Sequence, residues 1–311
     1  MENINKNSFE PIPIEDKSAE FIARPKITYW SDAWRRFKRN KLALVSLVIL
    51  VVLLVVVIAG PIITKNLYGY DVNGPQDYAA KNVGPTSNHW FGTDALGRDL
   101  FTRVCIGGRV SLTIGILGAL ISTIVGVVYG SISAYAGGVV DTIMMRIVEV
   151  LSALPYTLIV ILVSIYIGET SMFSLILAMT IVGWTGTARL VRGQLLSLKE
   201  QEFVLAAETL GVSNKDIIFR HLIPNTMNVI LISVSFDVPG FIFSEAFLSF
   251  LGIGIQQPLT SWGALASAAQ GVFFFYPYQL FFPSIMIALT MLVFTLIGDG
   301  LRDALDPKMR Q

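Results

Sequence analysis

The sequence predicts an all-α polytopic membrane protein with six transmembrane helices, both termini on the cytoplasmic side, and a helical hairpin in a cytoplasmic loop. Three observations carry this expectation. Of 311 residues, 53% are hydrophobic and only 14% are charged, whereas soluble domains carry roughly 25% charge; most of the surface must therefore face lipid. Long apolar runs recur along the chain at lengths that suit a bilayer. Lysine and arginine gather in alternate connections between those runs, which sets the orientation.

A polar cytoplasmic tail, 1–26, precedes the stretch ITYWSDAWRRFKRNK at 27–41. There Trp30, Trp34, Phe37 and Lys41 follow helical spacing with most charges elsewhere around the wheel. This reads as an interfacial elbow helix on the cytoplasmic leaflet, or more simply as a positively charged topology signal. Polar residues leading into an apolar run are the wrong order for a cleaved signal peptide, so the first span is expected to stay in the membrane.

That first span, 42–63, holds no charge; at 1.5 Å per residue it covers about 33 Å, enough to cross a hydrocarbon core of about 30 Å. An external loop, 64–109, comes next. A core of five further spans fills 110–300, with expected helices at 110–136, 142–167, 171–188, 226–251 and 281–299, and 301–311 is a second cytoplasmic tail. The span at 142–167 contains Arg146, Glu149 and Pro155, and the span at 226–251 contains Asp237, Pro239 and Glu245. With the N-terminus inside, Arg35, Arg36, Lys38, Arg39, Lys41, Arg146, Arg189, Arg192, Lys199, Lys215, Arg220 and Arg302 all fall in the cytoplasm. Lys65, Lys81, Arg98, Arg103 and Arg109 fall outside, in one loop that also carries aspartates.

Within the second span Gly118, Ser122, Gly126, Gly130 and Ala134 recur every four residues. Small side chains in one row admit a close helix neighbour, inside the subunit or between subunits. Pro155 and Pro239–Gly240 either loosen the backbone of a moving bundle or make static kinks.

The loop 189–225 is polar and capped like a soluble hairpin. Phe203, Ala206, Ala207 and Leu210 stand at i, i+3, i+4 and i+7, one face of a helix. Gly211 is the expected left-handed stop. Ser213 then caps a second helix with Asp216 three residues on, and Val212 and Ile217 occupy the positions of a hydrophobic staple. Ile217, Ile218, His221 and Leu222 form a second apolar face, and Pro224 marks the exit to the next span. Such a unit either docks into a groove on another protein or packs beneath its own spans as a stiff linker.

No chemistry of catalysis is visible. The chain lacks a G-x-x-x-x-G-K-[ST] loop, H-E-x-x-H and G-x-S-x-G. Its single cysteine, Cys105, and two histidines exclude the usual zinc patterns. A net charge of +1 argues against a general nucleic-acid binder. Glu149 lies three residues from Arg146 and pairs with it locally. Asp237 and Glu245 either line a polar pathway or cap breaks around Pro239–Gly240. Asp94, Arg98 and Asp99 in the outer loop either contact a delivery protein or satisfy one another in a salt-bridged turn.

LAAETLGVSNKDIIFRHLIPN, residues 205–225, resembles the cytoplasmic loop motif of ATP-binding-cassette importer permeases: Glu-Ala-Ala, three residues, Gly, nine residues, then Ile-x-Leu-Pro. Ala206, Ala207, Gly211 and Pro224 match in register. Leu205 stands in place of the motif's glutamate, with Glu208 one turn along; Ile223 replaces leucine and His221 replaces isoleucine. HWFGTDALGRDLFTR (89–103), WRRFKRNKLAL (34–44), EAFLSFLGIGIQQPLTSWG (245–263) and LIGDGLRDALDPK (296–308) are similar to the dipeptide/oligopeptide/nickel branch of that family. The match extends to the second of its two non-identical permeases.

The resemblance implies a transport subunit of the bacterial cytoplasmic membrane that binds no cofactor itself. It implies a second permease, two ATP-binding subunits that carry ATP and magnesium, and an extracytoplasmic peptide-binding protein. Phe203, Ala206, Ala207, Glu208, Gly211, Ile217, Ile218, His221 and Pro224 would then couple to the ATPases. Cargo would be oligopeptides or dipeptides, with nickel complexes as an alternative. A self-contained ion-coupled transporter is the rival from another class, although the inverted repeats expected there are missing.

Overall fold

The computed structural model describes residues 29–70, 78–167, 171–257 and 259–305. The tail 1–26, the first two residues of the elbow stretch and the end of the second tail lie outside them. Among the described residues the fold is helical throughout, apart from one isolated bridge between Thr93 and Asp99.

Helix α1, Tyr29–Arg39, has Asp32 in its first turn and Arg36, Lys38 and Arg39 in its last, the order that suits the helix dipole. Asp32 pairs with Arg35 at 2.9 Å and with Arg36. The helix ends sooner than expected. Asn40 takes extended backbone angles and its side chain accepts the N–H of Ala43 at 3.2 Å, so it caps α2, Lys41–Tyr68. Lys41 therefore opens the first span. Nor is Phe37 given to lipid: it is buried with Ala43, Val293, Ile297 and Ala304, while Trp30 and Trp34 stay exposed.

Helix α3, Leu100–Ala136, begins well before the expected 110, capped by Asp99, which accepts the N–H of Thr102 at 2.8 Å. Arg103 and Arg109 thus belong to a helix and not to the outer loop. Both charges are answered: Arg103 pairs with Asp94, and Arg109 donates to the carbonyls of Val57 and Ile58 in α2.

The expected third span is two helices, α4 (Gly138–Ala153) and α5 (Tyr156–Ile167), bent by 88°. Leu154 between them is extended, as a residue preceding proline prefers. At 1.5 Å per residue the two are about 24 and 18 Å long, each too short to cross alone. Arg146 and Glu149 pair at 2.6 Å on α4.

Helix α6, Met172–Lys199, opens with a capping box from Ser171 and Ser174. After a short helix α7, Glu202–Thr209, the chain enters α8, Asn214–Phe250, which runs unbroken into the membrane. Pro239 lies inside it, and the helix continues through Pro239–Gly240 without a break. Beyond it, α9 (Trp262–Gln270) buries Trp262, and α10 (Tyr278–Leu305) completes the bundle. Among the described residues five helices are long and apolar enough to span, and the count reaches the expected six where the bent pair is taken as one broken span.

The small-residue row of α3 packs inside the subunit. Gly118 leaves room for the ring of Phe241 in α8. A Cβ on Gly126 would meet Thr187 at 2.7 Å and the carbonyl oxygen of Trp184 at 2.8 Å, both in α6. One on Gly130 would strike the Ala188 carbonyl oxygen. Ser122 and Ala134 are buried on the same stripe. Small residues let these backbones approach where larger ones would hold them apart.

Candidate functional site

One end of the bundle carries Arg36, Lys38, Arg39, Arg192, Lys199, Lys215 and Arg220, and the loop between α6 and α8 closes it. The loop forms as its caps dictate. Gly211 has φ +76°, a conformation glycine adopts at no steric cost. The N–H of Val212 donates to the carbonyl of Ala207 at 3.1 Å and that of Gly211 to Glu208 at 3.0 Å, closing α7 as a left-handed C-cap does. Ser213 Oγ accepts the N–H of Asp216 at 3.2 Å and donates to its carboxylate at 2.7 Å. Val212 packs against the cluster that holds Ile217, the staple expected from their spacing.

Past this corner the chain does not form a separate second helix. Residues Ile217–Leu222 wind as a π-turn and pass without interruption into the span. Pro224 lies inside this continuous rod rather than at an exit. Proline has no N–H to offer, and the wider turn just ahead of it changes the register of donors, as such turns do at irregular points in helices.

The loop has two apolar faces, and the structure assigns them differently from the periodic reading. Val204, Ala207, Ile217 and Leu222 are buried with Ala134, Val191, Leu195 and Ile230 beneath the bundle. Ala207 and Ile217 are therefore anchors. Facing out are Phe203, Leu210 and Phe219, at 42, 82 and 53% exposure. Leu205, Ala206, Glu208 and Pro224 are exposed as well, and Ile218 and His221 are half-buried. Val204 and Phe219 escape a helical-wheel reading because each lies just off the stripe that the stronger apolar run defines.

At the opposite end, Asp94, Arg98 and Asp99 are consumed within a compact lobe. Asp94 accepts the N–H groups of Leu96 at 2.8 Å and Arg98 at 2.9 Å, and pairs with the Arg98 and Arg103 side chains. Burial pushes its carboxyl up, yet the Arg98 N–H, the Arg103 charge, the Leu96 N–H and the Arg98 charge outweigh this and hold it below its ordinary value. Asp99 caps α3 and lies 3.1 Å from Nδ1 of His89. A ladder of rings, Tyr68–Trp90–Phe101–Phe91–Phe282, connects this lobe to α10.

Asp237 and Glu245 do not cap a break, since α8 has none there. Glu245 is fully buried, accepting Ser111 Oγ of α3 at 2.9 Å and Ser249 Oγ at 2.8 Å. Ser111 Oγ in turn accepts the N–H of Trp262 at 3.2 Å, so the carboxylate ties three elements together. Asp237 is half-buried and accepts Ser233 Oγ at 3.3 Å. Cys105 is buried against Gly60. Among the described residues no group of His, Cys, Asp and Glu has the arrangement of a metal site.

Comparison with known proteins adds the decisive observation: residues 126–311 match the binding-protein-dependent transport system inner membrane component. The chain belongs to that family. Residues 28–85 further match the N-terminal transmembrane domain of oligopeptide transport permease C. Among relatives of this inner membrane component, the oligopeptide transport system permease protein OppC of Bacillus subtilis (strain 168) is 45% identical over 100% of both chains. The dipeptide transport system permease protein DppC of the same strain is 46% identical, covering 96% of this chain and 91% of its own. OppC of Escherichia coli (strain K12) is 47% identical over 90% of this chain and 92% of its own. As an inner membrane component of such a system, the chain is a multi-pass transport permease of the cytoplasmic membrane that works with other transporter components.

Proposed function

We propose that this permease is one of two non-identical membrane subunits of an ATP-driven importer of peptides. Two ATP-binding chains sit at its basic end, which faces the cytoplasm, and hold the ATP and magnesium. A peptide-binding protein delivers cargo to the opposite end. The relatives named for oligopeptide and dipeptide transport support the cargo; the excess of Lys and Arg at one end supports the orientation.

One observation carries the coupling role. The loop exposes Phe203, Leu210 and Phe219 while its other face is locked under the bundle, and its second half is the start of a spanning helix. An apolar set of this kind fits a groove in a partner chain. Closure of the ATP-binding chains would then move α8 directly.

The test is purification of the tagged permease with its transport system in mild detergent, followed by ATPase and uptake assays. Leu210→Glu combined with Phe219→Glu should leave membrane insertion intact, release the ATP-binding chains and abolish ATP-dependent peptide uptake. Transport surviving that double change would refute the docking surface. Uptake driven by a proton gradient and indifferent to ATP would overturn the whole reading in favour of an ion-coupled transporter.

A further inference from the structure

Tyr135 stands where four elements of the basic end meet. It lies one residue before the end of α3, half-buried under the loop. Its hydroxyl donates to Oδ1 of Asn214, the first residue of α8, at 3.0 Å and lies 3.5 Å from Oε1 of Glu208 in α7. A phenol has one proton to give, so Asn214 is the primary acceptor and Glu208 the alternate. The backbone carbonyl of Tyr135 accepts from Nζ of Lys199, the last residue of α6, at 3.0 Å. The same ammonium sits 5.0 Å from the centre of the Tyr135 ring, within cation–π range.

Two kinds of contact hold this corner. The apolar cluster of Val204, Ala207, Ile217 and Leu222 is strong but non-directional. Directionality comes from polar ties. Asp141 of α4 accepts Arg192 Nε of α6 at 2.6 Å and the Ser133 hydroxyl of α3 at 2.5 Å, which binds the ends of three helices into one block. Tyr135 joins that block to both halves of the loop.

We infer that Tyr135 is a positioning residue for coupling: its hydroxyl fixes the angle at which the 202–216 corner stands against the ends of α3 and α6. Movement imposed on the loop then reaches α3 and α6 as well as α8. This rests on the reading of the loop as the docking site for ATP-driven chains. Without the hydroxyl, the loop keeps its apolar seat but swivels, and hydrolysis proceeds without a matching movement of the spans.

The experiment uses the complete transporter and its binding protein in proteoliposomes, with a mixture of tritiated di-, tri- and penta-alanine as cargo. It reads ATP hydrolysed per peptide taken up, alongside assembly by size exclusion. Tyr135→Phe retains the ring and the carbonyl that hold Lys199. It should assemble normally and raise the ratio about fivefold, the population shift that accompanies loss of one net hydrogen bond. Asn214→Ala, which leaves only the longer Glu208 contact, should raise the ratio in the same direction but by less. Added to Tyr135→Phe it should change nothing further, and Asn214→Asp, which keeps the acceptor, should couple as the parent does.

An unchanged ratio in Tyr135→Phe overturns the inference. So does loss of assembly in Tyr135→Phe, which would make the hydroxyl a folding requirement, and so does uncoupling by Asn214→Asp. Failure of the underlying reading looks different: the unaltered transporter itself would show no ATP-dependent uptake, and both proposals would fall together.

Discussion

Arg109 of α3 reaches across to the carbonyl of Val57 in α2, donating from Nε at 3.0 Å, and its Nη2 donates to the next carbonyl, Ile58, at 2.6 Å. Val57 is four residues before Pro61, which lies inside the same helix. In an ordinary turn the N–H of residue 61 would serve that carbonyl; proline cannot. The arginine is thus the side chain of one span completing the backbone of another, in a setting where unpaired polar groups are costly.

This pairing makes a reciprocal prediction. Arg109→Leu strands the Val57 carbonyl and should destabilise the permease by about 1–3 kcal/mol. Pro61→Ala restores an N–H at residue 61 and should recover much of that loss when combined with Arg109→Leu. Thermal unfolding in detergent, followed by tryptophan fluorescence across the four combinations, checks this; strict additivity would contradict it.

The close approach of α3 and α6 predicts a sharp contrast between two glycines. A methyl at Gly130 meets the Ala188 carbonyl, which is backbone and cannot swing away, whereas one at Gly186 meets nothing within 4 Å. Gly130→Ala should cost about 1–3 kcal/mol through forced separation of the helices, and Gly186→Ala should be close to neutral. Melting temperatures of the two variants decide the matter.

Phe37 and Trp34 stack on each other at 5.7 Å between ring centres but face different surroundings. Phe37 is buried against α10, while Trp34 is exposed. Phe37→Ala should destabilise by about 3–5 kcal/mol, as buried aromatic truncations do. Trp34→Ala should leave stability nearly unchanged and instead weaken quenching of Trp30 by brominated lipid, if the two rings insert together. Equal melting temperatures for the two variants would contradict the burial of Phe37.

The outer lobe predicts an acid limb. Asp94 is held below its ordinary pKa of 3.8, so it binds its proton less readily folded than unfolded. The stability it contributes is present above the unfolded value and is lost as pH falls through the depressed folded one. Limited proteolysis of the lobe should therefore accelerate below about pH 4, and Asp94→Asn should be cleaved faster at neutral pH with a flatter dependence on acid. A variant that kept the original acid limb would show that another group sets it.

The helical class and the places of five spans were legible because long, nearly uncharged runs leave few alternatives. The corner was legible too, since Gly211, Ser213 and Asp216 act within a few residues of one another. Prolines were not separable by sequence. Pro155 turns the chain through 88° while Pro239 and Pro283 sit inside continuous helices, and nothing in the residues next to each marks which will bend. The early start of α3 was hidden because Arg103 and Arg109 look like loop charges until Asp94 and the Val57 carbonyl are brought to them. Periodicity found that the 202–222 loop has apolar stripes; it carried no information on which stripe faces inward. Tyr135 escaped altogether, because its partners lie far along the chain.

The unbroken run of α8 has a mechanical consequence. Its 37 residues make a rod of about 55 Å at 1.5 Å per residue. It crosses α3 where Gly115 admits Ile242 and lies close to the Val238 carbonyl. That crossing divides the rod unequally, with about 40 Å on the side of the loop and about 12 Å beyond it. Were the rod to pivot there, it would act as a lever with a gain of roughly three, turning a long stroke at Phe219 into a short one at Phe250.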